Sequence, residues 1–154
     1  MVTDSTRENM YLGGTTNTIS LSQGSNDFMI VKYSLTSNSV SWFGTLGSDE
    51  DDILESLVIE DIDSTTQGLY ALGYSSNFDS SIGRYDGIVI KINPTTLKIE
   101  WQIYFGGTES DILYSSYFDV SLSSLILGGM SSSFNEKKSN NGMIVAIDYL
   151  GRSQ

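Results

Sequence analysis

Gly47-Ser48-Asp49-Glu50-Asp51-Asp52-Ile53-Leu54-Glu55-Ser56 is matched by Gly106-Gly107-Thr108-Glu109-Ser110-Asp111-Ile112-Leu113-Tyr114-Ser115, with six of ten positions identical at a spacing of 59 residues. About one identity in ten is expected by chance, so the chain contains an internal repeat. The same spacing carries Asp27-Phe28-Met29-Ile30-Val31-Lys32 into Asp86-Gly87-Ile88-Val89-Ile90-Lys91, and Trp42 into Trp101. A β-rich repeat of this length is usually one blade of a propeller.

Outward from that match, short β-branched and aromatic runs alternate with Gly, Ser, Thr and Asn clusters, the pattern of strands and turns. Strands are predicted near Met10–Thr15, Asp27–Ser34, Val40–Leu46 and Ile53–Ile62. They return near Leu69–Tyr74, Asp86–Asn93, Lys98–Phe105 and Ile112–Val120, and a third set opens with Leu125–Met130 and Gly142–Tyr149. The Ile53–Ile62 segment has a brief helical pattern, but its counterpart at Ile112–Val120 is aromatic-rich, and both read as strands. Leu12-Gly13, Leu72-Gly73 and Leu127-Gly128 form a further recurring pair. The repeat units are placed at about 10–68, 69–124 and 125–154, the last incomplete. Strands apolar on both faces, such as residues 28–33 and 87–92, suit a sheet held between two others.

The composition excludes several function classes. Lys and Arg number 8 against 19 Asp and Glu, a formal net charge of −11, and no cationic cluster is available for phosphate. The chain has no Cys and no His. Thiolate chemistry, disulfides, a Ser-His-Asp triad and histidine-ligated metals are therefore ruled out. No apolar run approaches the length of a membrane-spanning helix, and residues 1–9 lack the apolar core of a signal peptide.

These features resemble the SBBP-type β-propeller repeat. The residues that carry the resemblance are Leu72-Gly73, the strand Asp86-Gly87-Ile88-Val89-Ile90-Lys91, Trp101 through Gly106-Gly107, Asp111, and Phe118-Asp119. Departures are Ser48 for the second glycine, Ala146 for the lysine, and short turns after Asp119. The resemblance implies an all-β partial propeller of two and a half to three four-stranded blades in a single array over 1–154. By analogy, the segment ending Val58-Ile59-Glu60-Asp61 is the innermost strand of a blade and the Trp strand the outermost, which aligns Met1-Val2-Thr3-Asp4 with Ile59-Glu60-Asp61. Rings close with about four to eight blades, so this length does not close one. The expectation is a segment of a larger, cell-surface or secreted protein, with self-assembly of several copies as the alternative. Its partners would be a protein or carbohydrate ligand and the remaining blades or other copies, with no nucleic acid and no membrane insertion. On its own, an open arc leaves the outward faces of its terminal blades uncovered, through Met29, Val31 and Tyr33 or through Met143, Val145 and Ile147, so the isolated chain is expected to aggregate or oligomerise.

Candidate sites each have a functional and a structural reading. Asp49, Glu50, Asp51 and Asp52 are the calcium candidates, because calcium favours clustered carboxylates. They lack EF-hand spacing, and only Glu50 and Asp52 persist, as Glu109 and Asp111. Turn capping by Asp52 and Asp111 is the favoured reading. Asp27, Asp86 and Asn141 recur before the second strand, and the exchange of Asp for Asn keeps an acceptor while losing a charge. That argues for turn closure and against catalysis. Lys32 and Lys91 are placed to pair with neighbouring carboxylates, and Ala146 at the third position removes any need for a ring of lysines. Trp42 and Trp101 are read as packing between blades. Residues 91–101 also loosely match the tryptophan-docking repeat of quinoproteins, with Asn93 and Leu97 in place of its Asp and Gly. Tyr74, Phe78 and Tyr85 with Arg84 form a candidate carbohydrate platform. No nucleophile–base pair is recognisable, so the functional expectation is a non-catalytic interaction scaffold, with no cofactor beyond the possible calcium. The alternative is a fragment of a propeller enzyme, quinoprotein-like or with its catalytic residues on other blades.

Overall fold

The computed structural model describes residues 1–18, 24–61, 67–76, 83–134, 136–148 and 151. Among them the chain is all-β, without a helix, and eleven strands pair antiparallel in three sheets. The first sheet orders β1 (Val2–Thr3), β2 (Asn9–Thr16), β3 (Asp27–Ser34) and β4 (Ser39–Leu46). The second orders β5 (Asp52–Asp61), β6 (Gln67–Ser75), β7 (Asp86–Ile92) and β8 (Ile99–Phe105). The third holds β9 (Asp111–Asp119), β10 (Ser124–Ser131) and β11 (Asn141–Asp148). Each sheet is a meander of sequence neighbours, as short turns require. The sheets run out of phase with the sequence units, since β5 and β9 each open a new sheet.

The sheets stack face to face. β5 packs across β1, β2 and β3, and β9 packs across β5, β6 and β7. One core lies between the first two sheets, with Tyr11, Phe28 and Ile30 against Leu57, Leu69, Ala71, Ile88, Ile90 and Ile92. The other lies between the second and third, with Tyr70, Leu72 and Val89 against Leu113, Phe118, Leu125, Leu127 and Ile147. Every residue of β7 is therefore buried, which explains why its pattern is apolar at consecutive positions. Each such aliphatic side chain contributes about 1.5–3 kcal/mol on burial. Trp42 packs on the first core and Trp101 on the second.

Register corrects three expectations. Val2 lies opposite Tyr11 as Val58 lies opposite Tyr70 and Tyr117 opposite Ile126, so Asp4 corresponds to Glu60 and Asp119. The alignment of Asp4 with Asp61 is therefore off by one residue. The recurring glycine is also displaced: Gly14, Gly73 and Gly129 lie opposite Met29, Ile88 and Met143, whereas Gly13 and Gly128 share a position with Leu72. Gly73 and Gly129 sit against a β-bulge that leaves Glu55 and Tyr114 without a register partner. A Cβ at either would lie 1.9 Å from the Ile53 carbonyl oxygen or 2.1 Å from that of Ile112. Finally, Met143, Val145 and Ile147 pack into the second core. The uncovered side of β11 carries Ile144 instead, 83 % exposed.

Candidate functional site

The repeated window is a turn held by carboxylates. Asp52 Oδ2 accepts hydrogen bonds from the Ser48 amide at 2.6 Å and from its hydroxyl at 2.8 Å. Asp111 Oδ2 accepts from the Gly107 amide at 3.0 Å and from Ser133 Oγ at 2.5 Å, and Asp111 Oδ1 accepts from Ser131 Oγ. The Asp52 and Asp111 amides donate to the Asn26 and Tyr85 carbonyls, each at 2.7 Å, which ties every new sheet to the one before. Asp27 and Asp86 are buried beneath the same turns, where a Cβ on Gly47 or Gly106 would lie 2.1 Å from their Oδ1 atoms. Asp86 Oδ2 accepts from the Gly83 amide at 3.2 Å. Asn141 is exposed at the start of β11. Burial pushes the Asp52 carboxyl above its ordinary value; hydrogen bonds from Ser75 and Ser48 oppose this, and the nearby Asp27 charge adds to it.

The acidic run does not converge. Asp52 is buried in the turn, Asp51 accepts from Asn26 Nδ2 at 2.6 Å, and Asp49 and Glu50 are exposed. Among the described residues no group of three or more potential metal ligands comes together. The geometry of Asp52 and Asp111 is that of turn capping.

A second polar constellation lies inside the stack. Lys91 Nζ is 3.1 Å from Glu60 Oε2, and the Tyr70 hydroxyl donates to the same oxygen at 2.5 Å. Lys91 Nζ also lies over the Tyr70 ring, 5.4 Å from its centroid, and the Tyr70 ring centroid lies 5.7 Å from that of Trp101 and 5.9 Å from that of Phe118. Burial raises the Tyr70 pKa, and the hydrogen bond to Glu60 raises it further. In the first sheet the equivalent Lys32 donates to the Pro94 carbonyl at 2.9 Å and lies 5.5 Å from the Tyr11 ring centroid. In the third sheet Ile126 and Ala146 replace the pair. Glu60 differs from Asp4 and Asp119, which cap local turns, by a side chain long enough to reach the lysine. Gly68 leaves it room, since a Cβ there would lie 2.8 Å from Glu60 Oε2. A buried, charge-paired cation of this kind is a structural device.

The turn of residues 93–97 keeps a geometry that favours glycine. Asn93 Oδ1 accepts from the Thr95 and Thr96 amides at 3.0 and 2.9 Å, and Leu97 has φ of 59°. Asn38, 59 positions earlier, has φ of 53°.

The aromatic candidates meet at the turn end of β6 and β7. Tyr74 and Tyr85 pack edge to face at 5.4 Å, and the Arg84 guanidinium lies 5.5 Å from the Tyr85 ring centroid. Arg84 is exposed and both tyrosines are half-buried, while Phe78 lies outside the described residues. Burial raises the Tyr74 pKa, with smaller effects from Glu55, Tyr85 and Tyr114. Glu55 and Tyr114 are the two bulge residues, and both act electrostatically on the Tyr74 hydroxyl. Sequence reasoning missed them because the bulge is visible only in the register. The arrangement offers ring faces beside a cation, the elements of a stacking surface for a sugar or a side chain.

A scan against protein-family models finds no match for this chain, and a search of curated proteins finds no similar sequence.

Proposed function

We propose that the chain is a non-catalytic segment of an SBBP-type β-propeller array that serves as a protein or glycan interaction scaffold within a larger protein. The sequence resemblance and the three stacked meander sheets support the propeller reading. The observation that carries the binding reading is the Tyr74–Tyr85–Arg84 cluster, with the two rings edge to face, half-buried, and the exposed Arg84 guanidinium over Tyr85. Its ring faces and cation match the demands of stacking recognition, while the Lys91–Glu60 pair is enclosed and its neighbours are satisfied.

A glycan array and an immobilised protein panel, probed with the full chain, test this reading. The expected result is at least one ligand whose affinity falls about tenfold in Tyr85→Ala, which corresponds to about 1.4 kcal/mol. Absence of any ligand, or equal binding by the variant, would overturn the assignment of this surface.

A further inference from the structure

The tyrosine–arginine cluster departs from the repeat. Tyr74 occupies the register position of Thr15 in the first sheet and of Met130 in the third, opposite the residue that follows Asp27, Asp86 or Asn141. One place before those three stand Asn26, Tyr85 and Asn140, and two places before stand Ser25, Arg84 and Ser139. In the outer sheets the asparagines make local bonds. Asn26 donates to Asp51 Oδ1, and Asn140 Oδ1 accepts from the Ser132 hydroxyl, each at 2.6 Å. The scaffold thus works with small polar residues here, and the rings and guanidinium are an addition of the central sheet alone. Both faces of that sheet are covered within the chain. Its turn end therefore stays at the rim of the stack whatever lies beyond the first and third sheets.

The chemistry at this rim is specific. Arg84 is exposed, lies over Tyr85 and makes no ion pair among the described residues. Gly83 seats it on the neighbouring turn, where a Cβ would lie 2.2 Å from the Glu109 carbonyl oxygen. The Glu109 carboxylate is already taken by Lys138, from the turn between β10 and β11. A guanidinium resting on a ring is a pre-set fork, matched to one carboxylate through two parallel N–H bonds. Beside it are acceptors, since the Glu55 and Asp51 charges reach the Tyr74 hydroxyl. A ligand dense in carboxylates is repelled by these groups and by the net charge of −11. Hydroxyl groups can instead donate to them. One carboxylate among several hydroxyls, on a ring with an apolar face for the tyrosines, describes a sugar acid.

We infer that the cluster recognises a sugar acid within a glycan, a uronic or sialic residue whose carboxylate is held by Arg84 while its ring packs on the tyrosines. This rests on the binding reading above and narrows it to one ligand class.

Calorimetric titration of the full chain with trigalacturonate and with sialyllactose, each beside its carboxyl methyl ester, tests it. At least one acid should bind about tenfold more tightly than its ester, the order expected for hydrogen bonds to a charged group. Arg84→Gln should abolish that preference and leave the affinity for the ester unchanged. Arg84→Lys keeps the charge without the fork and should retain only part of the preference. Tyr85→Ala should weaken acid and ester alike. Equal binding of acid and ester, or a preference that survives Arg84→Gln, overturns the inference. In that case a glycan or protein ligand lost in Tyr85→Ala still upholds the scaffold reading. Failure of both acids to bind overturns the inference too, as does preferential binding of an aspartate-rich peptide, which assigns the cluster to a protein partner.

Discussion

β7 and β11 occupy the same place in their sheets, yet one is closed in and the other open. Val89 in β7 is fully buried, while the equivalent Ile144 in β11 is 83 % exposed. Lys91 in β7 is held by Glu60, and the equivalent position in β11 is Ala146. The apolar character of a strand is thus set by its place in the repeat, whereas its burial is set by whether a neighbouring sheet exists. Polar content follows burial in an instructive direction: the covered strand contains the charge, because a partner is built for it. At the equivalent position the open strand has Ala146, with neither.

Making β7 resemble β11 is the most direct way to break the contrast. Lys91→Ala leaves Glu60, 1 % exposed, without its cation, and loss of one partner of a buried pair costs about 3–5 kcal/mol. Lys32→Ala removes a cation that donates to a backbone carbonyl rather than to a buried carboxylate. It should cost much less. Urea denaturation of both variants checks this, and equal losses would show that Glu60 finds another partner.

The bulge offers a similar comparison within the β2, β6 and β10 strands. Gly73→Ala places a methyl against the Ile53 carbonyl oxygen, while the equivalent Gly14 has only the Met29 Cε at 3.9 Å. Overpacking of this kind costs about 1–3 kcal/mol. Gly14→Ala should stay within about 0.5 kcal/mol of wild type. Thermal melts that show the two variants equally destabilised would mean that the bulge relaxes to admit a side chain.

These two positions also show what was legible in the sequence. The all-β class and the strand positions are readable because short β-branched and aromatic runs between turn residues report local geometry directly. The turn role of Asp52 and Asp111 is readable because the repeat exchanges Asp49 and Asp51 for Thr108 and Ser110 while keeping the aspartate that precedes the strand. Register is not. A match between Leu72-Gly73 and Leu12-Gly13 rewards identity, while the fold requires glycine where a carbonyl crowds the strand, at Gly73 and Gly129. A one-residue slip reverses the face of every side chain in a strand. The sequence marks Lys91 as able to pair with a carboxylate, but its partner Glu60 and the hydroxyl of Tyr70 come from strands that only the register brings alongside. The aromatic cluster is visible because Tyr74, Tyr85 and Arg84 are near in sequence, whereas the bulge residues Glu55 and Tyr114 emerge only from the register.

The smallest effect separates two carboxylates on opposite sides of the comparison between covered and open sheets. Asp52 lies at the junction of the first two sheets, and burial holds its carboxyl above the unfolded value of 3.8. Its contribution to stability is full below 3.8 and fades as pH rises through its higher native value. Asp4 lies at the start of the open first sheet. Burial acts to raise its pKa, but hydrogen bonds from Asn9, Thr6 and Glu8 outweigh that effect and hold it below 3.8. Its contribution is therefore full above 3.8 and is lost as pH falls through its lower native value. Melting temperatures of wild type, Asp52→Asn and Asp4→Asn, followed from neutral pH into the acid range, should show opposite trends. The wild-type advantage over Asp52→Asn grows on acidification, while its advantage over Asp4→Asn shrinks. Trends of the same sign would mean that the two turns share one electrostatic environment, and that coverage by a second sheet does not distinguish them.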